Sequence, residues 1–89
     1  VTDAIRDAAA PLAHALTAMQ DAGLRVPPAD VLISYTHSGC IVRVADRSAR
    51  HREAMEEIFR NAFVAAGWGV WVRYAGGLTM QHPATMTRL

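Results

Sequence analysis

Two helical stripes in this chain end on the same punctuation: an alanine, a glycine and then a large apolar residue, Ala22-Gly23-Leu24 and Ala66-Gly67-Trp68. A run of alternating residues follows each. Glycine reaches the left-handed conformation that closes a helix, and the apolar residue behind it packs back on the last turn. A change of hydrophobic period from 3.6 to 2, made twice, restricts the chain to a fold that mixes helices with half-buried strands.

The first stripe lies in residues 1–24, where Ile5, Ala9, Leu12, Leu16 and Met19 recur at helical spacing. Pro11 complicates its start, because a proline inside a helix removes a hydrogen bond and crowds the preceding turn, at a cost of about 3 kcal/mol. Either Asp7 caps a helix beginning at Ala8, or the helix starts near Asp3 and kinks. The second stripe is the clearest in the chain: Met55, Ile58, Phe59, Ala62, Phe63 and Ala66 follow the i, i+3, i+4, i+7 pattern. Between them, "RVPPAD" is a stiff linker, since two prolines forbid helix.

Each helix is followed by a hairpin. In "VLISYTHSGCIVRVAD" Val31, Ile33 and Tyr35 share one face, and a turn at Ser38-Gly39 leads to Cys40, Val42 and Val44. In "GVWVRYAGGLTMQH" Val70, Val72 and Tyr74 share a face, Gly76-Gly77 suits a type I′ turn, and Leu78 and Met80 continue the inner face. The order is α-β-β-α-β-β. The simplest architecture is a four-stranded antiparallel sheet with both helices on one face, the order obtained by moving the first strand of a ferredoxin-like unit to the C-terminus. That resemblance is topological and implies no function. Residues 1–82 are expected to form a single α+β domain and 83–89 a frayed C-terminal tail.

The chain has 89 residues, 52% of them hydrophobic and 19% charged, a globular balance with room for one core. Its net charge is only +1, far from that of a dedicated nucleic-acid binder. All nine basic residues are arginine, which reads first as GC-rich coding. One cysteine, Cys40, rules out an internal disulfide, no apolar run is long enough to span a membrane, and no signal peptide is visible, so a cytoplasmic location is expected.

Two surfaces are candidates for function. The sheet face away from the helices should carry Leu32, Ser34, Thr36, Ile41, Arg43, Ala45, Trp71, Arg73, Thr79 and Gln81. Leu32, Ile41, Arg43, Trp71 and Arg73 are the mixture of aliphatic, aromatic and guanidinium groups that protein interfaces favour. The same tryptophan between arginines also suits stacking on bases. The second candidate is the run holding Arg47, Arg50, His51 and Arg52, where a helix capped by Asp46 or Ser48 would offer amides and arginines to an anion. The competing structural reading pairs Arg50 with Glu53, Arg52 with Glu56, and Arg60 with Glu56 and Glu57 along a solvated face.

Catalytic chemistry finds little purchase. His37 and Cys40 have a ligand-like spacing, but a zinc site needs three or four ligands. Cys40 alternates inward with no acid beside it, and no glycine-rich loop precedes a helix. We therefore expect no enzyme, no cofactor and no metal, but a small protein-binding or self-associating domain, with a homodimer as the expected self-associated form. Small size, arginine-only basicity and the lack of enzymatic motifs fit a phage or mobile-element product that engages or inhibits a host protein. A nucleic-acid module and a structural assembly subunit are the alternatives.

Overall fold

The computed structural model describes residues 4–86, so Asp3 as a helix start and the tail beyond residue 86 fall outside it. Helix α1 runs Ala4–Asp21, strand β1 Val31–Thr36, β2 Gly39–Val44, helix α2 Arg52–Ala65, β3 Gly69–Val72 and β4 Leu78–Gln81. One helical turn, α3, follows at Pro83–Met86, where fraying was expected. Two 3-10 segments, Pro28–Asp30 and Asp46–His51, lead into β1 and α2. Among the described residues no helix is long and apolar enough to cross a membrane.

Both helix stops form as the punctuation requires. Gly23 (φ 74°) donates to the Gln20 carbonyl, and Leu24 to that of Met19, both at 3.0 Å. Gly67 (φ 89°) and Trp68 repeat this on Val64 and Phe63. These paired bonds satisfy carbonyls that a helix end leaves without partners. At the second stop, the Trp68 ring meets Phe63 edge-on at 5.1 Å and is buried.

The sheet order is β1-β2-β4-β3, with every neighbouring pair antiparallel. This order is compatible with the permuted ferredoxin-like arrangement. The central pair carries the inward side chains, with Cys40 opposite Met80 and Val42 opposite Leu78. Above them lie Met55, Phe59, Ala62 and Phe63 of α2, and Ala8, Leu12, Ala15 and Met19 of α1.

The phase of α1 differs from the expectation. Its buried stripe is Ala8, Leu12, Ala15 and Met19, with Pro11 also buried, while Ala9, Ile5 and Leu16 are exposed. Alanine adds little apolar signal to a sequence stripe, yet it allows two helices to approach closely, and that approach sets the face. Pro11 lies within the helix, so Asp7 is not its cap.

The turns also shift. The first hairpin turns at His37-Ser38, and Gly39 opens β2 opposite Thr36. Glycine is needed at 39 because a Cβ there would sit 1.9 Å from the Met80 carbonyl oxygen. The second hairpin has no two-residue turn: residues 73–77 form its loop, closed by Arg73 N–H donating to the Gly77 carbonyl. Gly77 (φ 87°) lies so close to β2 that a Cβ would come within 2.7 Å of Arg43 Cβ. Tyr74 and Arg73 therefore leave β3, and Val72, the last residue of β3 and expected to face inward, is 67% exposed. On α2, Ile58 is only half-buried and Ala66 is exposed.

Phe63 is fully buried between α2 and the sheet. Phe63→Ala is expected to cost roughly 3–5 kcal/mol, a large share of the stability of so small a domain. A urea denaturation midpoint close to wild type would contradict this packing.

Candidate interaction face

Period-2 alternation sends the partners of the buried strand residues to the opposite face. There, Ser34, Ile41, Thr79 and Trp71 stand in one row across all four strands. Leu32 and Arg43 are paired in the next row, beside the Gly77 backbone. On the other side Thr36, Gly39, Gln81 and Gly69 form a row whose two glycines keep it shallow. Trp71 is 52% exposed, Leu32 and Ile41 are half-buried, and Arg43 is exposed. Among the described residues Arg43 forms no ion pair.

Four of the five expected interface residues, Trp71, Ile41, Arg43 and Leu32, thus share this face. Arg73 is displaced into the loop and half-buried. Tyr74, expected to share the inner face with Val70 and Val72, is instead wholly exposed in the 73–77 loop. The signal was the loop length, hidden because the adjacent glycines imitate a tight turn. The described tail does not cover the face: β4 leads to His82, which bonds to Asp7 on α1, and Pro83 lies beside Gly67 at the end of α2.

The arginine run is built differently from either expectation. Arg47 and Arg50 precede α2, which starts only at Arg52, and neither Asp46 nor Ser48 caps it. Ser48 Oγ instead donates to Asp30 Oδ2, and Arg47 Nε to Asp30 Oδ1, each at 2.5 Å. The Asp30 carboxylate is 1% exposed, and this clasp fastens the linker before β1 to the segment before α2. Arg50 and Arg52 are exposed and His51 is half-buried. Among the described residues no ion pair joins Arg50, Arg52 or Arg60 to a glutamate. Glu56 accepts instead from the Gly77 N–H at 3.2 Å. The anion site on the first turns of α2 is therefore not assembled: Arg47 already serves a buried carboxylate.

His37 lies exposed in its turn, whereas Cys40 is buried on the inner face, where desolvation pushes its thiol up to about 11. Among the described residues no three His, Cys, Asp or Glu side chains converge as a metal site would require.

One polar pair carried no sequence signal. His82, buried at the end of β4, lies 2.7 Å through Nε2 from Asp7 Oδ2, and its Nδ1 accepts from the Ala84 N–H at 3.0 Å. With Nδ1 accepting, the proton sits on Nε2 and is donated to Asp7. The ring also packs on Trp68, 5.1 Å between centroids. Histidine beside aspartate is a catalytic pairing only where the second ring nitrogen is open to a substrate. Here both are engaged, so the pair acts as a clasp between α1 and the end of β4.

Both clasp carboxylates have pKa values below the ordinary 3.8, Asp30 mainly through the Ser48 hydrogen bond and Asp7 mainly through that from His82, with burial opposing in each case. A lowered carboxylate pKa contributes stability that is complete above the unfolded value and is lost as pH falls through the folded one. Stability should therefore decline from about pH 5 downward. Asp30→Asn should be destabilised at pH 7 and show a flatter decline. An unchanged acid limb in urea titrations of that variant would show that Asp30 is not the linked group.

No family model, no curated protein and no solved structure matches this chain.

Proposed function

We propose that this domain is a non-catalytic protein-binding module that docks a partner on the outer face of its sheet, with Trp71 as the anchor. The observation that carries the reading is the row Ser34-Ile41-Thr79-Trp71, with Leu32 and Arg43 beside it, on a face that neither helix covers. Single exposed apolar residues are ordinary, but a contiguous patch that includes a half-exposed tryptophan marks a contact surface. Tryptophan and arginine contribute disproportionately to binding, tryptophan because a large, rigid ring desolvates at little entropic cost and arginine because its planar fork makes several hydrogen bonds. Ile41 and Leu32 supply the apolar surround, and Arg43 adds a donor fork for a carboxylate or backbone carbonyl on the partner. If the arginine-only basicity reflects phage or mobile-element origin, the partner is a host protein.

Truncating such an anchor typically costs 2 kcal/mol or more of binding, about a thirtyfold loss of affinity. Trp71→Ala should keep the circular-dichroism spectrum and lose the partners recovered by the wild-type domain. Arg50→Gln, away from the face, should keep them. If Trp71→Ala unfolds the protein, or recovers the same partners as wild type, the face is not the docking site.

One observation favours a second reading. Arg43 is exposed beside a stacking residue, an arrangement that also suits single-stranded nucleic acid. Against it stands the net charge of +1. Nucleic-acid binding would appear at low salt, fall steeply as salt rises, and weaken when Arg43 becomes glutamine. We expect no such binding.

A further inference from the structure

Strand β1 lies at an edge of the sheet, and one bond shows how its backbone is oriented. Ala45 N–H donates to the Asp30 carbonyl at 2.8 Å, so the Asp30-Ala45 pair is hydrogen-bonded. Antiparallel alternation then directs the backbone groups of Leu32, Ser34 and Thr36 toward β2, and those of Val31, Ile33 and Tyr35 away from the sheet. Val31 N–H is taken by the Pro28 carbonyl. The Val31 carbonyl and both groups of Ile33 and Tyr35 thus line the open edge.

These same residues point their side chains to the helix side. Because α1 packs chiefly over β2, a groove of about 390 Å³ remains between α1 and β1, lined by Leu16, Met19, Leu24, Val26, Val31 and Ile33. Tyr35 shares their face and is 44% exposed. Natural edges are usually guarded by a charge, a proline or a bulge. "VLISYT" contains no charged residue and no proline, and its pairing with β2 is continuous.

We infer that β1 pairs antiparallel with β1 of a second copy, joining the two sheets into one of eight strands, with Tyr35 of each copy lying over the groove of the other. Centred on Ile33, this register sets Ile33 opposite Ile33 and Tyr35 opposite Val31. The two Ile33 residues exchange both backbone bonds, and each Tyr35 N–H reaches the opposite Val31 carbonyl. The one occupied group, Val31 N–H, limits the ladder at its ends only. No like charges meet: Thr36 faces Asp30, which is already clasped by Ser48 and Arg47, and His37 faces Ala29.

The footprint is small. A six-residue strand is about 20 Å long. The domain is 18 Å through its shortest extent. A contact of that outline, on the order of 400 Å² per copy, is smaller than a standard specific interface, so the dimer should be weak and depend on concentration. The shared sheet would carry both Trp71 faces on one side, and the pairing does not rest on what those faces bind.

Sedimentation equilibrium from about 1 µM to about 500 µM, a range suited to a weak contact, should show a monomer–dimer equilibrium. Tyr35→Pro removes the ring and an outward N–H while leaving the β1-β2 ladder intact, and should weaken the dimer at least tenfold. Trp71→Ala should leave it unchanged. Should Tyr35→Pro fail to fold, Ile33→Cys decides. Opposed Ile33 positions lie about 5.5 Å apart between Cα atoms, within reach of a short bis-maleimide. That reagent should cross-link Ile33→Cys but not Trp71→Cys at neutral pH, where the buried Cys40 thiol is protonated. A monomer throughout, or equal cross-linking of both variants, overturns the inference. A dimer lost with Trp71→Ala and kept in Tyr35→Pro also overturns it, and assigns self-association to the outer face.

Discussion

Burial of the inward side chains of β2 and β4 beneath α2 is the contact from which the other features of this domain follow. Cys40, Val42, Leu78 and Met80 form a contiguous floor, and Met55, Phe59 and Phe63 rest on it. Each fully buried large side chain contributes about 1.5–3 kcal/mol by leaving water. Once this floor faces inward, strand alternation leaves no choice for Ile41, Arg43, Thr79 and Trp71. They must face outward, because a one-residue slip would expose the whole floor. The candidate interaction face is thus a consequence of the core.

Close backbone packing keeps that floor in register. Gly39 meets the Met80 carbonyl, and Gly77 meets Val42 and Arg43, at distances where any Cβ would force the strands apart. The periphery is held by polar contacts of another kind. Asp30, Ser48 and Arg47 join the entry to β1 to the approach to α2, and Asp7 and His82 join α1 to the end of β4. A buried carboxylate is costly unless its oxygens find donors, and here each Asp30 oxygen has one. Such pairs specify one arrangement of segments over others, which matters in a domain with a modest core.

The two proposed contact surfaces use different chemistry on the same sheet. The outer face offers side chains and a flat aromatic, suited to a folded partner. The β1 edge offers backbone groups and an apolar groove, suited to another strand. The surfaces adjoin at β1, whose Leu32 and Ser34 side chains belong to the outer face while its backbone forms the edge opposite β3. A domain that pairs through an edge keeps its face open. A dimer built this way would be bivalent, and linking two weak contacts raises overall affinity without any new one.

The element order, both helix stops, the strand parity and the placing of Trp71, Ile41, Arg43 and Leu32 on one sheet face were legible in the amino-acid sequence. Each depends on residues within a turn or a strand pair: a glycine that can take positive φ, an apolar residue behind it, and an alternation that cannot slip. The tertiary structure alone decided the phase of α1, since Ala8 and Ala15 carry too little apolar signal to outweigh Ile5 and Leu16 until α2 lies against them. It alone placed the loop at 73–77, because Gly76 and Gly77 satisfy a tight turn locally and only the approach of β2 requires the longer one. It also took Ser48 and Arg47 from a helix cap and an anion site to Asp30, and brought His82 to Asp7 across 75 residues. A polar side chain bonds to whichever partner the packed chain brings within 3 Å, and no local pattern encodes a partner that distant in sequence.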